Sequence, residues 1–225
     1  MYFQNGNVKL YYEIMGTAGR PLLMLHGNGE NHRIFYAAAE ILSKDYCVIL
    51  PDTRGHGQSD QPQNNCYHYN DMADDVLALC RHLNLQSPLI YGFSDGGITA
   101  LLLALKSPQL PAAIAVSGAN LNPRGLKSFF SLGMKISYAF KKDPKTALML
   151  REPQIDPDRL KTICCPALVT AGSRDLIKEK HTKRIAVAMP QATLKILKGE
   201  SHGSYIVNNQ KIAFLLRDFF KKYGL

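Results

Sequence analysis

Three residues of this chain have the types and spacing of an activated nucleophile: Ser94, Asp175 and His202. Ser94 lies in Gly92-Phe93-Ser94-Asp95-Gly96, a G-x-S-x-G pattern. An apolar run from Leu89 precedes it, and a helix-forming run, Ile98 to Leu105, follows. Strand, sharp turn, helix is the context in which such a serine is held with its hydroxyl exposed. The strained turn admits only small neighbours, which Gly92 and Gly96 supply. A hydroxyl attacks well only when a base takes its proton, and the base needs an acid to orient it. Asp175 follows the apolar run Pro166 to Gly172, and His202 follows the alternating run Ala192 to Lys198. Both runs read as strands, so all three residues are expected at one edge of a sheet. Taken singly, the Asp reads as a turn or cap and the His as solvated. Three strand ends in the order nucleophile, acid, histidine outweigh those readings.

Acyl chemistry also needs donors for a developing oxyanion. The backbone N–H of Asp95, in the first turn of the expected helix, is one. The short strand Pro21 to Leu25 runs into His26-Gly27-Asn28-Gly29, and Asn28 is the second, with Gly29 as fallback and as a candidate substrate contact. His26 reads as a structural, hydrogen-bonded histidine. Asp52 to Asp60, after the strand Tyr46 to Leu50, reads as a packed loop beneath the site.

The elements that must position these residues alternate. Val8 to Ile14 suits an antiparallel edge hairpin, Tyr69 to Leu83 is apolar at helical spacing, and Ala112 to Ser117 is a buried strand. Alternation of this kind predicts an α/β chain with a mostly parallel twisted sheet, helices on both faces, and a site at the carboxyl ends of the strands. Residues 120–157 break the pattern and predict a small helical cap. Its apolar residues, including Phe129 and Phe130, are expected to face the pocket as candidate substrate contacts. The competing reading is a basic amphipathic helix on an anionic membrane, because Lys127, Lys135, Lys141, Lys142 and Lys145 are interleaved.

The chain has 225 residues, the length of one domain, 1–225. No apolar run reaches the roughly 18 residues of a membrane span. The first residues lack a secretory layout, and the five cysteines have no metal-like spacing. A cytoplasmic protein with reduced thiols is expected, without metal, cofactor or stable membrane association. The net charge of +9 comes without a nucleic-acid-binding motif. It reads as a solvated basic surface that favours anionic substrates, not as a nucleic-acid site.

Taken together, His26-Gly27-Asn28-Gly29, Asp52 to Asp60, the elbow at Ser94, Ala171-Gly172-Ser173-Arg174-Asp175 and Ser201-His202-Gly203 resemble an α/β-hydrolase-fold serine hydrolase over nearly the whole chain. The elbow from Gly92 to Ala100 is also similar to that of biphenyl hydrolase-like esterases, a resemblance that favours Asp95 as acceptor of an ammonium group on the acyl part of a substrate; the alternative is an Asp that only complements the macrodipole in the first turn of the helix. The resemblance implies hydrolysis of a small-molecule carboxylic ester. Lactonase, thioesterase, carbon–carbon bond hydrolase and cofactor-free perhydrolase activities share the same triad. A binding protein that keeps the fold without catalysis is the reading from another class.

Overall fold

The hairpin expected at the N-terminus forms from β1 (Tyr2–Asn5) and β2 (Val8–Met15), paired from Tyr2↔Tyr11 to Asn5↔Val8. Gly6 makes its turn at φ +57°. The remaining strands are β3 (Pro21–Leu25), β4 (Cys47–Pro51), β5 (Leu89–Phe93), β6 (Ala113–Ser117), β7 (Ala167–Arg174) and β8 (Ala192–Ser201). In the computed structural model, which describes residues 1–225, they form one sheet in the order β1-β2-β4-β3-β5-β6-β7-β8. β2 runs antiparallel to β4, and every pair from β4 through β8 is parallel.

The parallel strands are apolar on both faces because helices cover both. In β5, Leu89, Tyr91 and Phe93 point to one layer, formed by α1 (Tyr36–Leu42) and α7 (Lys211–Lys222). Ile90 points to the other, formed by α2 (Tyr69–His82), α3 (Asp95–Lys106) and α6 (Glu179–Ala188). This is the alternation of a pleated strand. In α7, Ile212, Ala213, Leu216, Phe219 and Phe220 are buried at helical spacing, so one stripe seats the helix on the sheet.

The insertion between β6 and β7 holds two helices, α4 (Ser128–Lys141) and α5 (Pro144–Arg151). The Asp143 carboxylate caps α5, accepting the Thr146 N–H at 2.8 Å. The expectation that the apolar side of this segment faces the pocket holds for only part of it. α4 turns Met134 and Phe130 inward against Leu126 and Ile177. Phe129, Leu132, Ile136 and Phe140 point outward and are 70%, 58%, 53% and 85% exposed. α4 has apolar residues on two sides, and one side suffices to pack it down.

β7 and β8 run beyond their expected ends at Gly172 and Lys198, with a register shift between Gly172 and Arg174. A Cβ on Gly172 would collide with the Glu200 carbonyl, so only glycine allows this close approach. The consequence is positional. Ser94, Asp175 and His202 each stand immediately after the last residue of a parallel strand: β5, β7 and β8.

Candidate active site

Ser94 sits at φ +54°, ψ −116°, a strained conformation for a residue with a side chain. The turn is held on both sides. The Ser94 N–H donates to the Ser117 carbonyl at 2.8 Å, and the Ser94 carbonyl accepts from Ile98 N–H at 3.0 Å. A Cβ on Gly92 would strike the Gly96 carbonyl, and one on Gly96 would strike the Leu25 carbonyl. The two motif glycines therefore let β5, α3 and the end of β3 touch backbone to backbone.

The Ser94 hydroxyl lies 3.0 Å from His202 Nε2, and His202 Nδ1 lies 2.6 Å from Asp175 Oδ1. With Nδ1–H donated to the carboxylate, Nε2 is left as the acceptor facing the serine. Asp175 is 2% exposed, and its Oδ1 also accepts the Ile177 N–H at 2.8 Å. Its Oδ2 is buried without a partner. Phe93 packs against the His202 ring at 4.9 Å between centroids.

Sequence reasoning missed Gly118, which follows β6 at φ +63°. A Cβ there would stand 2.6 Å from His202 Cε1. The parallel register places β8 three strands from β5, about 14 Å at the usual spacing. The loop after β8 must therefore carry His202 back across the end of β6, and the bare Gly118 backbone leaves room for the ring.

The loop after β3 is oriented from below. His26 is buried, and its Nε2 accepts the Thr53 N–H at 3.1 Å, so its Nδ1–H donates to the Gly27 carbonyl at 2.8 Å. Burial lowers the His26 pKa to about 4, which keeps the ring neutral. In a planar trans peptide, the Gly27 carbonyl and the Asn28 N–H point opposite ways. The Asn28 N–H consequently turns away from His26 and has no protein acceptor. The Gly27 N–H is taken by Glu30 Oε2 at 3.0 Å. The Asp95 N–H, at the start of α3, has no intrahelical acceptor by position. The loop after β4 braces this arrangement. Asp52 accepts the His32 and Gln58 N–H groups, each at 2.8 Å, and Arg54 grips Asp75 through Nε at 2.7 Å and Nη2 at 2.8 Å.

A cavity of about 220 Å³ opens over Ser94. Gly27, Asn28, Asp95, Phe130 and His202 line it, and so do Tyr69, Asn120 and Met149. Gly29 and Phe129 do not. Gly29 faces open space at φ +73°, and Phe129 lies one residue, or about 100° of helix, from Phe130. The expected preference for anionic substrates meets a contrary lining. Glu30, Asp95 and Glu152 are its acidic residues, and neither Lys nor Arg is present. Net charge is a sum over the surface and does not set the sign of a cleft. Glu30 and Glu152 had no motif to mark them.

Asp95 is 7% exposed and accepts the Asn28 side-chain amide at 2.9 Å. Burial raises its pKa, while Asn28, the Tyr69 hydroxyl and His202 oppose the rise. Burial also raises that of Glu30. Glu152 holds His68 Nδ1 at 2.6 Å and the Tyr69 N–H at 3.1 Å.

Comparison with known proteins agrees with this architecture. The magnesium-chelatase 30 kDa subunit of Rhodobacter capsulatus is 40% identical over 105 residues, which are 46% of this chain and 37% of that protein. AB hydrolase superfamily protein YisY of Bacillus subtilis is 42% identical over 96 residues, 42% of this chain and 35% of that protein. The matches thus span little more than a third of those curated relatives. A thermophilic esterase from Thermogutta terrifontis superposes with a TM-score of 0.77 at 22% identity, covering 96% of this chain and 94% of that one. A family model described as alpha/beta hydrolase fold matches residues 20–164. The chain belongs to the alpha/beta hydrolase fold family.

Proposed function

We propose that this protein is a serine hydrolase that cleaves a carboxylic ester of a small molecule through an acyl-enzyme on Ser94. The observation that carries this reading is the unbroken series Ser94, His202, Asp175, with contacts of 3.0 and 2.6 Å, at a strained elbow. His202 Nε2 takes the serine proton as Oγ attacks the ester carbonyl. Asp175 holds the imidazole tautomer and stabilises its cationic form. The N–H groups of Asn28 and Asp95 receive the oxyanion, each contributing about 3 kcal/mol. His202 then protonates the leaving alcohol. Water attacks the acyl-enzyme in a second round of the same steps and frees the acid.

The cavity narrows the substrate. A volume of about 220 Å³ suits a small acyl group. Three carboxylates without a Lys or Arg favour a cationic one, with Asp95 beside the nucleophile as the ammonium acceptor.

A second reading, ligand binding without hydrolysis, draws on the likeness to a protein named as a chelatase subunit. One experiment separates the two. Wild type and Ser94→Ala are assayed on p-nitrophenyl esters from acetyl to octanoyl plus one aminoacyl ester, and both are treated with a fluorophosphonate. Hydrolysis and labelling that vanish together in Ser94→Ala are expected. A wild type that neither hydrolyses nor labels would leave the binding reading. Labelling without hydrolysis of any ester would point to a lactone, thioester or carbon–carbon substrate instead.

A further inference from the structure

The outward side of α4 has no function in the chemistry above. Phe129, Leu132, Ile136 and Phe140 recur at intervals of three, four and four residues. At 100° per residue they fall within about 80° of arc, a single stripe. All four are more than half exposed, and none belongs to the apolar cluster that packs the other side of the helix. The inward side is separately satisfied by Met134 and Phe130. Isolated exposed apolar residues are ordinary, but an aligned stripe ending in a Phe that is 85% exposed marks a surface that something covers.

The charges on α4 itself are of one sign. No Asp or Glu occurs between Asp95 and Asp143, while Arg124, Lys127, Lys135, Lys141 and Lys142 lie in that interval. Lys135 flanks the stripe on one side, roughly 100° around the helix from its middle, while Lys141, in the last turn, falls on the arc of Phe130 and Met134. At the N-terminal end of α4, Leu126 bridges to Ile177, and Lys178 Nζ donates to the Arg124 carbonyl. This contact brings the start of α6 alongside. There Arg124, Lys178, Lys180, His181 and Arg184 line a surface depression with no carboxylate and no apolar residue. The stripe therefore has lysines at both ends, Lys127 before it and Lys141 and Lys142 after it, and Lys135 on one flank.

We propose that α4 is a docking element for an anionic lipid surface, with its stripe in the acyl boundary and the surrounding cations on the headgroups. A convex ridge of apolar side chains edged by lysines, whose stems can reach up to the headgroup level, is the form an interfacial helix takes. A second copy of this chain fits less well. A symmetric pairing through α4 would set the lysines of one copy, Lys127, Lys135, Lys141 and Lys142, against those of the other with no carboxylate on the helix to offset them. The arrangement also gives the cavity an orientation, because Phe130 lines the cavity from the same helix. The inference goes beyond the proposed ester hydrolysis and does not depend on it. It departs from the expectation of no stable membrane association, which assumed that the apolar residues face inward.

The test is flotation with phosphatidylcholine vesicles, alone or with about 30% phosphatidylserine. Wild type is expected to float with the anionic vesicles only. I136S/F140S and K135E/K141E/K142E should each lower that partition about tenfold or more, with unchanged circular dichroism. The chain contains no Trp, so F140W supplies one reporter. Its emission should shift to the blue with anionic vesicles and stay unchanged with neutral ones. That readout is independent of whether the other variants fold. Failure of wild type to float, together with an unshifted F140W spectrum, overturns the proposal. So does a stable dimer in sedimentation velocity that I136S/F140S dissolves.

Discussion

The Asn28 side-chain amide donates to the Asp95 carboxylate across 2.9 Å, tying the loop after β3 to the first turn of α3. These two residues also carry the backbone N–H groups proposed to receive the oxyanion. One side-chain bond thus sets the spacing of two main-chain donors. Asn28→Ala keeps both N–H groups and releases the tie. We expect kcat for p-nitrophenyl acetate to fall about tenfold with KM little changed, short of the hundredfold or greater loss seen when a donor itself is removed. An unchanged kcat would show that the tie is dispensable.

Asp95 is buried beside Ser94, the proposed nucleophile, and shares the cavity with Glu30 and Glu152. Asp95→Asn preserves size and the capacity to accept from Asn28 while removing charge. The kcat/KM for an aminoacyl p-nitrophenyl ester should drop about tenfold or more relative to a neutral ester of the same length, as expected for loss of a charge-assisted hydrogen bond. Equal losses on both esters would remove the ammonium site from the proposed function.

Gly118 carries no reacting group, yet a Cβ there would stand 2.6 Å from His202 Cε1 and would strain a backbone at φ +63°. Gly118→Ala should cut kcat about a hundredfold by displacing the imidazole from Ser94. Fluorophosphonate labelling should slow in parallel, since both require the same serine–histidine contact. Wild-type labelling kinetics in a folded variant would refute this positioning role.

His56 is 5% exposed, and burial, helped by His26 and Lys145, lowers its pKa from 6.5 to about 4. Between those values the unfolded chain binds a proton that the folded chain refuses. The stability this residue allows is therefore complete above pH 6.5 and is lost as pH falls toward 4. His56→Asn removes the titration. The Tm of wild type minus that of the variant should shrink steadily on acidification across this window, read by scanning calorimetry. A difference independent of pH would show that His56 titrates alike in both states.

The order of Ser94, Asp175 and His202, the residues proposed to react, and the elements that carry them were legible in the sequence for a local reason. G-x-S-x-G, the apolar run before it and the helical run after it are all set by near neighbours along the chain. So were the strands before Asp175 and His202. The fold class followed from alternating elements, because covered parallel sheets need apolar strands. Two sequence expectations meet a different arrangement, one of them only in part, where the property belongs to a surface and not to a segment. A basic chain was expected to favour anions, but the cavity gathers Glu30, Asp95 and Glu152 from separate elements. The apolar residues of α4 were expected to face inward, yet the stripe from Phe129 to Phe140 points out.

What only the tertiary structure decided is how distant backbone comes together. Gly118 matters because the loop after β8 crosses the end of β6, a contact between residues 84 positions apart that no local pattern encodes. The Asn28 N–H is free because His26 turns the Gly27 carbonyl and Glu30 takes the Gly27 N–H. Residue types along a chain specify which groups are available and which strands and helices form. Which of those groups meet, and which are left without a partner at the reacting centre, depends on the order of strands in the sheet and on the loops that cross their ends.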